Sequence, residues 1–321
     1  METFKWGIIG CGNIAGNFIQ AIAGTDSMSV SAVASRDVSK AEKFASEKAV
    51  PKFYGSYKEL ANDSELDAVY IATVNSDHYD SIMLCLENGL PVMCEKPMLL
   101  VPEQYEKVSA LAKAKNLAVM EAMWTGFLPA VSEIKKLLDS GAIGAVRLAK
   151  LDFCVNFGNL PRVLEPSLGG GFIYDIGVYN LHTAFRLFGD DYSGVSICGI
   201  KGGAGVDTGS VVALSYDNGL IVNTTTARVS SPNNLLIYGT EGSISAENYI
   251  HAEKFVLTDA YGNTKIYEFP FECNGFEYEI KEFASLVRAG KTESSVISLD
   301  RSRKVCLLMD RVFRDVCGYG Y

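Results

Sequence analysis

Histidine is scarce in this chain. Only three occur in 321 residues, and the eight cysteines (Cys11, Cys85, Cys94, Cys154, Cys198, Cys273, Cys306 and Cys317) include no Cys-x-x-Cys pair. That scarcity and dispersal argue against a zinc site and against a disulfide framework. Long apolar runs are missing too: none approaches the roughly 18 residues that a spanning helix needs, so no membrane partner is expected. The opening Met1-Glu2-Thr3-Phe4-Lys5-Trp6 lacks a basic region followed by an apolar core. A secretory signal is therefore not expected, and a cytoplasmic location is. Positive charge is in deficit, with 29 Lys and Arg against 38 Asp and Glu for a net charge of −9. No basic stripe interleaved with aromatics stands out, which argues against nucleic acid as a partner.

What is present is ordinary globular material in quantity. Hydrophobic residues make up 48% and charged residues 21%, and the mean hydropathy is +0.12. A chain of this length can bury two cores.

The first third alternates strand-like and helix-like runs. Lys5–Ile9 reads as a buried strand, followed by Gly10-Cys11-Gly12-Asn13-Ile14-Ala15 and a helix from about Ala15 to Ala23. In G-x-G-x-x-A after a strand, the first glycine permits the tight turn, the second lets backbone approach a pyrophosphate, and the small third residue lets helix and strand pack. Free N–H groups at the helix start, on Asn13 and Ile14, face the phosphates. The second strand, Val30–Ala34, runs into Ser35-Arg36-Asp37. An NAD site usually places an acid at that tip, where it takes the ribose hydroxyls. Here Arg36 can clamp a 2′-phosphate, with the Ser35 hydroxyl beside it and Lys40 one turn on. NADP is thus the expected cofactor. NAD is the alternative if Asp37 turns toward the ribose instead of capping the helix near Ser39.

Ala68–Ala72 is another β-rich run, ending in Thr73-Val74-Asn75-Ser76-Asp77-His78 and a helix to about Asn88. Pro91–Cys94 delivers Glu95-Lys96-Pro97. Ligands in open parallel sheets sit beyond the carboxyl ends of strands, and proline holds the residue before it extended, so this Glu-Lys pair faces a ligand. Pro102–Lys115 reads as a helix and Leu117–Met120 as a short strand, giving five or six parallel strands, a complete dinucleotide-binding domain.

Taken in order, the set Gly10–Ala15, Thr73-x-Asn75-x-x-His78, Glu95-Lys96-Pro97, Met120-Glu121-Ala122-Met123-Trp124, and Gly169-Gly170-Gly171 with Asp175-Ile176-Gly177-Val178-Tyr179 resembles the Gfo/Idh/MocA oxidoreductases over nearly the whole chain. Within that family it resembles the dimeric dihydrodiol dehydrogenase and D-xylose dehydrogenase branch. The resemblance implies an α/β protein. Its parts would be a Rossmann domain with a doubly wound parallel sheet over residues 1–125, and a substrate-binding and dimerisation α/β domain over 126–321 with a large, mostly antiparallel open sheet. It also implies a nicotinamide site between the two, cofactor contacts from Thr73, Asn75, His78, Glu95, Lys96 and Trp124, and a homodimer. Two positions depart from the branch, which usually has arginine where Gly126 stands and proline where Val74 stands. Substrate choice does not carry over.

The second half reads differently from the first. Strand-like runs at 146–157, 195–200, 210–216, 220–227, 235–239 and 254–258 are separated by Gly, Asn and Asp turns, which suits antiparallel meanders. The run Ile221–Thr226 puts polar β-formers on one face, and an uncovered sheet face meets water or another subunit. The segments 276–289 and 298–316 have helical apolar spacing.

Moving hydride between an alcohol carbon and nicotinamide needs a group that handles the hydroxyl proton. Tyr179 is the candidate. Lys96 would favour its phenolate form and hold the substrate oxygen. Asp175, one helical turn before Tyr179, would orient Lys96 or bind a substrate hydroxyl. His182 is the competitor for Tyr179, and Arg162 either touches substrate or forms a surface salt bridge. Glu95 is structural or positions the nicotinamide; Trp124 lines the nicotinamide pocket or packs in the core. The expected activity is hydride transfer to or from a small polyol, sugar or vicinal diol. The alternatives are a glycosidic-cleavage enzyme with recycled bound NAD and a non-catalytic cofactor sensor.

Overall fold

The computed structural model describes residues 3–25 and 27–321. In chain order the first strands and helices are β1 (Phe4–Ile9), α1 (Asn13–Ala23), β2 (Met28–Ala34), α2 (Val38–Lys48), β3 (Lys52–Tyr54), α3 (Tyr57–Ala61), β4 (Ala68–Ile71), α4 (His78–Glu87), β5 (Val92–Glu95), α5 (Pro102–Lys115) and β6 (Val119–Ala122). The strands form a six-stranded sheet of order β3-β2-β1-β4-β5-β6, parallel throughout. Strands β4, β5 and β6 are buried along their whole lengths, as expected for parallel strands covered on both faces. The last strand runs two residues later than its apolar run suggests, and Glu121 lies inside it, buried, accepting the Met98 N–H at 2.9 Å.

The chain divides into two compact units. The first comprises residues 1–124 and 272–302, the second 125–271 and 303–321. The sequence-based division at 125/126 thus omits a return. Helix α9 (Glu277–Arg288) belongs with the first unit, where Phe283 packs 5.5 Å from Trp6, and Trp6 packs edge-on to Phe18 at 5.1 Å.

The second unit contains α6 (Pro129–Asp139), β7 (Val146–Cys154), α7 (Pro161–Leu164), α8 (Val178–Phe188), β8 (Gly194–Lys201), β9 (Asp207–Ser215), β10 (Ile221–Ala227), β11 (Leu235–Gly239), β12 (Gly242–Ala246), β13 (Lys254–Asp259), β14 (Thr264–Glu268) and most of α10 (Leu299–Cys317). Its eight-stranded sheet runs β14-β13-β12-β11-β7-β10-β9-β8. Every pairing is antiparallel except β7 with β10. One face is buried through residues such as Val222, Thr224 and Thr226. The ladder registers place Ile200, Val211, Ile221, Tyr238 and Ile266 together on the opposite face, where each is more than a third exposed.

Candidate active site

The carboxyl ends of β1, β2, β4 and β5 carry the residues singled out in the first unit. Gly10 has φ +104°, and a Cβ there would lie 2.4 Å from the Ala72 carbonyl oxygen at the end of β4. Only glycine tolerates both conditions. At Gly12 the reason is different: a Cβ would meet nothing within 4 Å. Space is therefore reserved on the turn side of that backbone, and no side chain caps the start of α1. Ala15 is fully buried, as close packing of helix and strand requires. Open room over a glycine, uncapped N–H groups and a helix dipole suit a pyrophosphate.

At the end of β2, Asp37 accepts the N–H groups of Ser39 at 3.0 Å and Lys40 at 3.3 Å, capping α2. Its own N–H donates to the Ser35 hydroxyl at 3.2 Å. Turning Asp37 toward a ribose would uncap the helix, at a cost of about 1 kcal/mol. Arg36 is not a solitary solvated charge: its Nη1 lies 3.0 Å from Asp77 Oδ2. Lys40 is exposed, yet its charge reaches the glycine turn, where it pulls down the Cys11 thiol that burial pushes up.

Thr73 and Asn75 are partly exposed at the mouth of β4, whereas His78 is fully buried. Its Nδ1 is 2.9 Å from the Pro97 carbonyl oxygen and its Nε2 3.4 Å from that of Thr73. The shorter contact assigns the proton to Nδ1, and burial holds the ring below its usual pKa, hence neutral. Through the Nδ1–H bond to Pro97, His78 fastens the loop after β4 to the loop after β5.

The Lys96–Pro97 peptide bond is cis. Lys96 is partly exposed, and its N–H donates to Glu95 Oε2 at 3.3 Å. The Glu95 carboxylate is turned inward, accepting the hydroxyl of buried Tyr70. Helix α9 brings Glu279, fully buried, near it, and burial together with the Glu95 charge holds Glu279 well above the usual carboxylate range. Within this buried set the sequence reading gave a site role only to Glu95; Tyr70 and Glu279 sit in runs that read as apolar structure, and Glu121 entered only within a motif. Trp124 is 4% exposed and stacks on Phe276 at 5.2 Å.

In the second unit, the segment Ile173–Gly177 is one wide π-helical turn leading directly into α8. It carries Asp175, 5% exposed, while Tyr179 follows at the start of α8, partly exposed, with Phe153 edge-on at 5.3 Å. Arg162 donates from Nη1 to Asp175 Oδ1 at 2.5 Å and lies over the Phe157 ring. The salt bridge anticipated for Arg162 is thus made to a buried, candidate site residue. His182, farther along α8, is 1% exposed. The Ile173 N–H donates to Asp207 Oδ2 at 2.9 Å; Asp207 is fully buried, and burial pushes its carboxyl up to about 7.

A glycine turn on a parallel sheet, with cations at the neighbouring strand ends, defines a dinucleotide-binding enzyme. The chain belongs to the Gfo/Idh/MocA oxidoreductase family: residues 4–123 match its NAD-binding Rossmann fold and residues 131–245 a C-terminal domain of the same family. The family is one of oxidoreductases, and the matched first segment is its NAD-binding part. Among its relatives, trans-1,2-dihydrobenzene-1,2-diol dehydrogenase of Xenopus tropicalis is 32% identical, over 97% of this chain and 98% of that one. The enzyme of the same name from Danio rerio is 33% identical over 98% and 97%. In fold, the chain superposes on an aldose-aldose oxidoreductase from Caulobacter crescentus with a TM-score of 0.88 at 22% identity, covering 98% of both chains. Among the described residues no helix is long and apolar enough to cross a membrane.

Proposed function

We propose that this protein is an NADP-preferring dehydrogenase that moves hydride between the nicotinamide and a carbinol carbon of a small polyol, sugar or vicinal diol. The observation that carries the cofactor reading is the pairing of an Asp37 committed to its helix cap with an arginine at the ribose end of β2. Without a free acid there, the ribose hydroxyls of NAD lose their usual partner, and the guanidinium favours a 2′-phosphate. The substrate class follows the relatives' names, which specify a diol dehydrogenase and an aldose oxidoreductase.

Gly10, Gly12, Asn13 and Ile14 would hold the pyrophosphate, Ser35, Arg36 and Lys40 the ribose phosphate, and Thr73, Asn75, Glu95 and Lys96 the nicotinamide half. The bound cofactor supplies the carbon that accepts or returns hydride. The proton is the chain's task. Tyr179 takes it from the substrate hydroxyl through its phenolic oxygen. A phenol titrates near 10 when alone, so Lys96 serves Tyr179 by favouring phenolate, and serves the substrate oxygen by compensating charge as it develops. Asp175, held by Arg162 at 2.5 Å, anchors the turn that leads to Tyr179 and would orient Lys96 or bind a substrate hydroxyl. His182, buried on the same helix, is the competing candidate for the proton.

The working form is a homodimer joined through the outer sheet face, supported by the five exposed apolar side chains that the strand registers align there. The eight cysteines, all free thiols with Cys198 and Cys273 exposed, suit the reducing cytoplasm.

Titrating the purified protein with NADPH and NADH, then screening vicinal diols and aldoses with NADP, tests this reading. Tighter NADPH binding with net NADPH formation from one substrate class is the expected result. Turnover without net NADPH would point to glycosidic cleavage with a recycled cofactor, and binding without any turnover to a sensor.

A further inference from the structure

Asp77 lies in the polar mouth of β4 and plays no part in the reading above. Its partner does. The pair it forms with Arg36, 3.0 Å between Oδ2 and Nη1, joins the loops after β2 and β4. Those strands are the two neighbours of β1, so the ion pair passes across the end of β1, where the Gly10–Gly12 turn stands. The two side chains differ in setting: Arg36 is 70% exposed and Asp77 only 24%. Asp77 Oδ2 is shielded from water and has no aligned hydrogen bond among the described residues, which leaves the Coulombic contact with Arg36 as its compensation. Tyr57, half-buried, lies within reach of both charges: burial pushes its phenol up, Arg36 pulls it down and Asp77 pushes it up.

We propose that Asp77 is a specificity-determining positioning residue, holding Arg36 across the glycine turn and competing with the 2′-phosphate of NADP for the guanidinium. The inference rests on the NADP reading and deepens it. An arginine fork that engages a 2′-phosphate must leave the carboxylate or share its charge with it, and the carboxylate repels the phosphate directly. NAD, with an uncharged ribose at that place, makes no such demand. Asp77 therefore sets how far Arg36 can favour NADP, and its effect is confined to the phosphorylated cofactor.

The test is protein fluorescence titration of the wild type, Asp77→Asn, Arg36→Gln and the double variant with NADPH and NADH, at low and high salt. Asp77→Asn should tighten NADPH about three- to fivefold, the weight of a partly exposed ion pair, and leave NADH within about twofold. The gain should shrink at high salt and on the Arg36→Gln background, because the carboxylate acts mainly through that guanidinium. An Asp77→Asn variant that shifts both cofactors equally, or neither, overturns the proposal while leaving the NADP reading intact. An Arg36→Gln variant with unchanged NADPH affinity overturns both. A wild type that binds neither dinucleotide overturns the cofactor reading itself. Should the amide variant fail to fold, Asp77→Ser, which also removes the charge from a short side chain, reads the same outcomes.

Discussion

The Nδ1 atom of His78 lies 2.9 Å from the carbonyl oxygen of Pro97, and through that bond the loop after β4 holds the loop that carries Lys96. Replacing the ring by leucine removes the donor and leaves a carbonyl unsatisfied. We expect His78→Leu to lose about 1–3 kcal/mol in denaturant unfolding, and to lower kcat more than NADPH affinity, because Lys96 loses its brace. Full activity in a stable variant would refute the bracing role.

The same residue makes a pH prediction. Burial lowers the folded pKa of His78 below its ordinary 6.5. The unfolded chain then takes up a proton first as pH falls, so the stability from this group is present above pH 6.5 and is lost progressively below it. The wild type should lose Tm between pH 7 and 5 more steeply than a His78→Leu variant.

Asp207 has the opposite sign. Its carboxyl is pushed up from 3.8 to about 7, so the folded state keeps the proton that the unfolded chain releases above 3.8. Stability from this site falls as pH rises between those values and stays reduced above 7. Asp207→Asn keeps an acceptor for the Ile173 N–H and removes the titration. Relative to wild type it should gain about 2–4 kcal/mol between pH 4 and pH 8. Melting curves at the two pH values decide it; a gap that does not grow with pH rejects the argument.

Two glycines two positions apart should fail differently. Gly10→Ala puts a Cβ 2.4 Å from the Ala72 carbonyl oxygen at φ +104°, costing about 1–3 kcal/mol for the backbone alone, with the clash added. Gly12→Ala meets no protein atom and should fold like wild type while weakening both cofactors tenfold or more, on the order of 1.4 kcal/mol. Equal cofactor affinity in Gly12→Ala would remove the pyrophosphate from that turn.

Lys96→Met and Tyr179→Phe test the proton pathway. Each should keep NADPH affinity within a few-fold while kcat falls at least about 100-fold. Unchanged turnover in either would remove that residue from the chemistry.

Much of the first unit was legible because each piece is local. An apolar run, a glycine turn and an amphipathic helix repeat at short range, and Pro102–Lys115 forms a helix over the span its sequence suggests. Local patterning also marked Gly10, Gly12, Arg36, Lys96 and Tyr179 as unusual residues in polar strand mouths. The weaker strands β12 and β14 escaped because Gly-Ser-Ile-Ser-Ala and Thr-Lys-Ile-Tyr-Glu carry little apolar signal; their pairing comes from backbone bonds to a neighbour already in place.

By itself, then, the sequence determined the βα alternation, the phosphate-binding turn and the identity of the residues at the strand ends, since these depend on neighbours a few positions away. Tertiary structure alone decided which of those residues meet. It returned residues 272–302 to the first unit, paired β7 with β10 in parallel, turned His78 and Trp124 inward, and set Arg36 against Asp77 and Arg162 against Asp175. Each of those choices depends on which distant segments share a buried space, where an unpartnered charge or carbonyl costs more than local propensity can offset.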